Sequence, residues 1–503
     1  MPAKLAEKHR KRSQKNVEPD SEPPDATCVP LSAAMGERTF RLGSLGLATL
    51  ALALGVLRLT HNDVWFDEAA SFFFARQSGL NFFRVLLRED THGPVYYGLL
   101  RLWVLAFGEG AWAGRLPSVL CAAAVVLVVA HLGATLFDRG TGLLASLFVA
   151  LSPFHLYYAQ EVRFYAFIEL MICLHVFCFV RLLDNPPTPE TISTKRPRWP
   201  WWGFVASGAA SVLTFYMSGL VPIAEGVCAV WLWRHIPRKR VATAFAALAA
   251  LCALWLPALV WQIQHTHGTI AWIPAKPLWR FLQQSAYTFT AVRPPTWTDK
   301  LATIAFATAA AIGIVRAIRR GSHRQRVLVC WLVLPLITIL VISLHKPLHE
   351  ARYLFMLLPA YFLCAAAAIS RWPTRWLPVA TSVLLAAGLA HADVRQYTGY
   401  KFKERWNDAA AFIREAGLPT DVLGVMPSHE AVTLRYYFPK FKHLRGAEKG
   451  TWVNGWLAPG GRLWLFTYRK DYQLQPGDLP NEALRIDSRT FGTLKVSLYV
   501  LRR

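Results

Sequence analysis

The sequence predicts an α-helical polytopic membrane protein of about eleven transmembrane helices, with juxtamembrane helices and a small C-terminal α/β domain. Three observations predict it. Hydrophobic residues fill 54% of the 503 positions and charged residues only 17%, a balance foreign to large soluble enzymes. Apolar runs of near-spanning length recur from Leu42 to Ala392. Past Asp393 they give way to short stretches of helical or alternating spacing, separated by Gly and Pro turns.

A formal charge of +24 would suit a nucleic-acid partner. The cations sit instead in short stretches between apolar runs, the pattern of cytoplasmic loops. The lipid bilayer is therefore the expected partner, and nucleic acid is not. Cys121, Cys173, Cys178, Cys228, Cys252, Cys330 and Cys364 lie in apolar runs and Cys28 in a polar tail; with no CxxC pair they are expected to pack. No metal or other cofactor is implied.

Residues 1–38 form a polar tail with Lys4, Lys8, Arg10, Lys11, Arg12 and Lys15 near its start, expected to be disordered and cytoplasmic. The transmembrane domain is expected over 39–392. Its first span, about Leu42–Leu59, is followed by no small-residue cleavage site and reads as an uncleaved anchor. A first outer loop, 61–112, holds a juxtamembrane helix from Ala69 to Gln77. A second, Pro94–Phe107, has about 14 residues, too few to cross.

Further spans fall near 113–136, 143–160, 164–183, 201–217, 219–233, 241–261, 300–318, 327–344, 354–370 and 377–392. This assignment puts Lys195, Arg196, Arg198, Arg234, Arg238–Arg240, Arg316–Arg326, Arg371 and Arg375 on the side of the basic N-terminus. Letting Pro94–Phe107 cross would reverse them all. The assignment requires a turn at Tyr216–Gly219 dividing Trp201–Trp233 into two spans. The odd total sends 393–503 outside, where a helix at Trp406–Ala416 and strands at Val422–Val425, Leu463–Phe466 and Leu494–Leu501 make the α/β domain. Loop 262–299 and the stretch His345–Arg352 face outward too.

The chemistry concentrates at outer loop ends. Asp67 and Glu68 lie side by side just past the first span, and acids at that depth have a task or a partner. They suit general acid/base work; as a structural pair they would instead sit at a helix N-terminus. His92, before Gly93-Pro94, stands at the start of the second juxtamembrane helix. Glu161 and Arg163 follow Ser152-Pro153-Phe154-His155; Arg163 offers a fork for a lipid phosphate or pairs with Glu161 and snorkels. Lys346 and Arg352 lie in a stretch with two histidines that suits a departing phosphate. Glu169, His175 and Glu225, inside apolar runs, are expected to pair within the bundle.

Several of these pieces form an order. Phe66-Asp67-Glu68 after the first span is followed by His92-Gly93-Pro94 with Tyr96-Tyr97, then Leu99-Leu100-Arg101-Leu102-Trp103 and Arg115-Leu116-Pro117-Ser118. Ser152-Pro153-Phe154-His155 with Gln160-Glu161-Val162-Arg163-Phe164-Tyr165 comes next, and Arg352-Tyr353-Leu354 before Leu358-Pro359 closes the series. Over about residues 40–390 this resembles bacterial glycosyltransferases of the C superfamily. Within it, the series is similar to the family of protein O-mannosyltransferases, lipid A aminoarabinose transferases and related polyprenyl-phosphate-sugar enzymes. The resemblance implies a carboxylate base in the first outer loop, matching Asp67 with Glu68 beside it. It also implies an active-site Arg at Arg163 and a polyprenyl-phosphate-sugar donor. The chain departs from the family's His-Pro-Pro or Lys-Pro-Pro at His92-Gly93-Pro94, and the C-terminal domain lies outside the resemblance.

The expectation is an inverting, mannosyltransferase-like transfer at the outer face of a bacterial inner membrane, to a hydroxyl of a lipid, glycan or protein. Asp67 would act as base, with Arg163 and Arg352 or Lys346 on the leaving phosphate. The alternative is a transporter or flippase with Glu169, Glu225 and His175 as a relay, whose two repeated halves the sequence lacks.

Overall fold

The computed structural model describes residues 35–184, 197–265, 277–291, 295–345, 350–372, 374, 376–398, 404–448, 456, 460–468, 479 and 482–501. The N-terminal tail before residue 35 and the cluster at Lys195 and Arg196 fall outside them, as do Lys346 and much of loop 262–299. Among the described residues, seven helices are long and apolar enough to cross a membrane, nine if each of two bent pairs is one span.

The first span is α1, Glu37–Val56. The loop after it then folds as three helices: α2, Phe66–Arg76; α3, Gly79–Glu89; and α4, Pro94–Phe107. Helix α2 begins three residues earlier than the spacing predicts, which places Asp67 and Glu68 in its first turn, where carboxylates favour the helix dipole. The spans resume with α5, Ala111–Leu136. A bent pair follows, α6 (Arg139–Ala150) and α7 (Pro153–Ala159), meeting at 61°. Pro153 lacks the N–H that would continue the ladder and pushes Ser152 out of helical geometry. Helix α8, Tyr165–Leu182, crosses next.

The region 201–233 holds α9 (Trp199–Val212) and α10 (Leu220–Trp231), joined by a 3-10 turn at Tyr216–Gly219. The break the sequence required is there. The Gly93 and Val95 amides donate to the Thr214 and Leu213 carbonyls at 3.1 and 3.3 Å, so this turn lies on the same side as α4. The second bent pair is α11 (Arg238–Ala253) with α12 (Leu256–His265), at 48°. After α13, Leu278–Thr288, come α14 (Trp297–Arg320) and α15 (His323–Ser343). A 3-10 stretch, Ala351–Leu357, leads into α16, Leu358–Ile369, and α17 is Trp376–Thr398.

The bundle core is Val125, Val126, Val129, Phe148, Ile168, Ile172, Phe179 and Phe362, all buried. A Cβ on Gly133 would lie 2.6 Å from the Gly142 Cα, so two small residues let α5 and α6 meet backbone to backbone, the usual packing device in lipid. The intramembrane acids pair as expected: Glu169 with His155 at 2.9 Å, and Glu225 with His175 at 2.8 Å.

The C-terminal region is a five-stranded mixed sheet. Helix α18 (Trp406–Ala416) and the strands β1 (Val422–Met426), β3 (Arg462–Tyr468) and β5 (Leu494–Leu501) stand where the sequence predicts them. Helix α19 (Ala431–Tyr437) and strands β2 (Leu444–Gly446) and β4 (Ala483–Phe491) are additional. Strand order is β2-β1-β3-β5-β4, parallel across the first three and antiparallel across the last three. This domain sits on the loop that carries α2–α4. Asp63 accepts from the backbone and side-chain N–H of Asn407, both at 2.8 Å. Tyr437 donates to the Val64 carbonyl at 3.0 Å, and Val64 and Ala69 belong to the domain's own core.

Candidate active site

Asp67 leaves the first turn of α2 with its side chain 14% exposed. Two guanidiniums face it. Arg352, delivered by the 3-10 stretch before α16, holds Asp67 Oδ2 at 3.0 Å. Arg163, from the turn between α7 and α8, has its Nε 4.0 Å from the same oxygen and its Nη1 3.5 Å from both the Asp67 carbonyl and Ser71 Oγ. Phe164 lies against the Arg163 guanidinium at 4.7 Å and Tyr165 at 5.9 Å, while Tyr165 Oη accepts from Arg352 at 3.4 Å. One carboxylate between two cations, walled by aromatic rings, is the arrangement.

A second acid, which sequence reasoning passed over, extends it. Asp90 accepts from the Tyr97 hydroxyl at 2.7 Å and from the Thr91 amide at 2.7 Å, and pairs with His92 Nδ1. Tyr97 Oη in turn accepts from Arg163 Nη1 at 3.4 Å. Burial alone would push the Asp90 carboxyl up, but the charge and hydrogen bond of His92, then Arg163 and the Tyr97 hydroxyl, outweigh it and hold it below the ordinary carboxylate value. His92 itself stacks on Phe215 and tilts against Phe164, so it reaches Arg163 through Asp90 and Tyr97. The signal in the sequence was an acid two residues before His92 at a helix start.

Gly93 explains the departure from His-Pro-Pro. A Cβ there would lie 1.8 Å from the Leu213 carbonyl oxygen, so neither proline nor any residue larger than glycine fits against the end of α9.

Glu68 corrects the sequence reading. It is not beside Asp67 in the cluster: successive helix residues point about 100° apart, and Glu68 turns inward, fully buried. There it takes Arg115 Nε and Nη2 at 2.7 Å each and the Val162 amide at 3.0 Å. Arg115 also donates to the carbonyls of Leu59, Asn62 and Asp63. The pair therefore fastens the residue next to Asp67 to the residue next to Arg163. Glu161 is likewise buried, and its carbonyl accepts from Ser118 Oγ at 2.6 Å. It is a packing residue, and a carboxylate repels a phosphate in any case. Lys346 lies outside the described residues.

Among the described residues no three His, Cys, Asp or Glu side chains gather into a metal-holding group. A cavity of about 210 Å³ opens on the far side of α2, between Ala69, Phe73 and Arg76 and the α19 residues Ala431, Val432, Arg435 and Tyr436.

Residues 91–261 match the family described as dolichyl-phosphate-mannose-protein mannosyltransferase. No curated protein matches the chain. Among solved structures, ArnT from Cupriavidus metallidurans bound to undecaprenyl phosphate aligns over 92% of this chain and 98% of its own, at 12% identity and TM-score 0.59. The oligosaccharyltransferase AglB from Archaeoglobus fulgidus, in complex with an inhibitory peptide and a dolichol-phosphate, aligns over 80% of this chain and 64% of its own, at 12% identity and TM-score 0.54. The arabinofuranosyltransferase AftD from Mycobacteria covers 94% of this chain and 42% of its own, at 16% identity and TM-score 0.51.

Proposed function

We propose, for a chain that has the C-superfamily glycosyltransferase fold and matches the dolichyl-phosphate-mannose-protein mannosyltransferase family over residues 91–261, that it transfers a sugar from a polyprenyl-phosphate donor to an acceptor hydroxyl. The observation that carries the reading is Asp67 held between Arg352 and Arg163 at the end of a bundle of spans. A lipid phosphate entering from the bilayer competes with Asp67 for the two guanidiniums. Once they turn to the phosphate, the Asp67 carboxylate is released to accept a proton. The acceptor oxygen, losing that proton to Asp67, attacks the anomeric carbon. The bond to the phosphate oxygen breaks on the opposite face, inverting the centre, and the two arginines take up the charge of the leaving polyprenyl phosphate.

ArnT and AglB were solved with undecaprenyl phosphate and dolichol-phosphate, which supports a lipid-phosphate donor here. The side of the membrane follows from charge. With α9 and α10 turning back at Tyr216–Gly219, the basic stretches at Arg234–Arg240 and Arg316–Arg326 fall opposite the α2–α4 loop, which argues for a reaction on the outer face of a bacterial inner membrane. The flippase alternative used Glu169, Glu225 and His175 as one relay. They are committed to two separate pairs, which favours the transferase.

The test is Asp67→Asn in membranes supplied with a polyprenyl-phosphate sugar. Turnover is expected to fall on the order of 10²–10⁴-fold with thermal unfolding unchanged. Undiminished transfer by the variant overturns the assignment of Asp67.

A further inference from the structure

The turn carrying Asp90 and His92 is pinned from below by one side chain on a bent membrane helix. Gln262, on α12 and 1% exposed, directs its amide nitrogen at two carbonyls of that turn, Asp90 at 3.1 Å and His92 at 3.2 Å, and at the Leu86 carbonyl in the last turn of α3 at 3.4 Å. Its own oxygen accepts from the Tyr216 hydroxyl at 2.6 Å, and that hydroxyl accepts from Trp255 Nε1 at 2.8 Å. The direction of this chain is fixed, because indole donates only and a carboxamide has one acceptor end and one donor end. Two of the places where a membrane helix breaks, the Tyr216–Gly219 turn and the α11–α12 bend, thus contribute a group to the same network.

We infer that Gln262 is a positioning residue: it clamps the Asp90–His92 turn and, through Asp90 and Tyr97, sets the Arg163 guanidinium in register with Asp67. Its catalytic consequence rests on the glycosyl-transfer reading; the clamp itself does not. A carboxylate at this position would oppose three carbonyl oxygens, and leucine would take the side-chain donor away from those of Asp90 and His92.

The test uses the full chain in detergent or lipid with two variants, Gln262→Leu and the milder Tyr216→Phe. Hydrogen exchange is read at Gly93 and Val95, whose amides bond to the end of α9. Exchange there is expected to accelerate about tenfold or more in Gln262→Leu and less in Tyr216→Phe, with strand β3 protected as in wild type. With a polyprenyl-phosphate sugar, kcat is expected to fall about tenfold or more in Gln262→Leu while the donor KM moves by less than about threefold, because the hydrogen bonds of the amide to the turn are lost. Should Gln262→Leu lose the protection of β3 as well, Tyr216→Phe alone decides, by the same exchange. Unchanged exchange at Gly93 and Val95 overturns the clamp whatever the kinetics. A fall in kcat/KM through KM alone overturns the positioning role. Wild-type protein that transfers nothing from any polyprenyl-phosphate sugar overturns the transferase reading, and the exchange result still decides the clamp.

Discussion

Replacing Arg115 by leucine tests how the site is held together. Arg115 is fully buried and donates two hydrogen bonds to Glu68 and three to the carbonyls of Leu59, Asn62 and Asp63. Leucine fills much of the volume but strips the buried Glu68 carboxylate of its counter-charge, a loss of about 3–5 kcal/mol for a broken buried pair. At about 2 °C per kcal/mol for a long chain, the melting temperature of the purified protein should fall by roughly 6–10 °C. Removing both charges, Glu68→Gln with Arg115→Leu, should recover part of that loss, because no unpaired charge is then left inside. Glu68→Gln alone should lower both stability and turnover, in contrast to Asp67→Asn, which lowers turnover only. Thermal unfolding followed by tryptophan fluorescence reads all four proteins. An Arg115→Leu melting point within about 2 °C of wild type, or a double variant worse than the single one, would refute the seat proposed for Glu68.

Further expectations bear on the turn and the sheet domain. Gly93→Ala should be poorly tolerated, since its methyl would meet the Leu213 carbonyl at 1.8 Å; faster trypsin cleavage after Arg88 or Arg101 than in wild type reads the loosened loop. Asp90 has a carboxyl held below its ordinary value of 3.8, so its contribution to stability is fully present above about pH 4 and is lost as pH falls through the lower folded value. Asp90→Asn should therefore be less stable than wild type at neutral pH and show a smaller further loss on acidification, by melting temperature from pH 6 down to pH 3. Asp63→Ala removes both bonds to Asn407 and should loosen the sheet domain from the loop, seen as faster exchange in α18 and reduced transfer.

The spans were legible because lipid imposes a length and a polarity on every crossing: the seven described helices that meet both, or nine with each bent pair as one, all lie on runs assigned as spans, whereas α9 and α10, of 14 and 12 residues, were assigned as spans and fall short of that length. The turn at Tyr216–Gly219 was legible only through the parity of basic loops. In the C-terminal region, β1, β3 and β5 are buried on both faces or nearly so and read as apolar runs. Strand β4, at the sheet edge, is mostly exposed, so no apolar pattern marks it, and α19 is a helix of 7 residues, too short to carry a period. Asp67, Arg163 and Arg352 come together as the order of motifs implied. What the sequence concealed was direction. Adjacent acids look alike in a string of letters, yet a helix sends one to the cleft and the other to a guanidinium 47 positions away. Asp90 was hidden for the same reason: its value comes from Tyr97 and Arg163, which only the folded loop brings near.

The docking of the sheet domain has a consequence for how the protein matures. Asp63 and its partner Asn407 are 344 positions apart. At about 5–20 residues per second of synthesis, roughly 17–70 s separate their emergence. Throughout that interval Val64, just before α2, and Ala69 and Phe72 on its back lack the aromatic cover of Tyr436 and Tyr437 that finally closes over them. The nascent chain thus holds α2 half-dressed until the sheet domain arrives, and a ribosome that stops short leaves a bundle already inserted with that helix still uncovered.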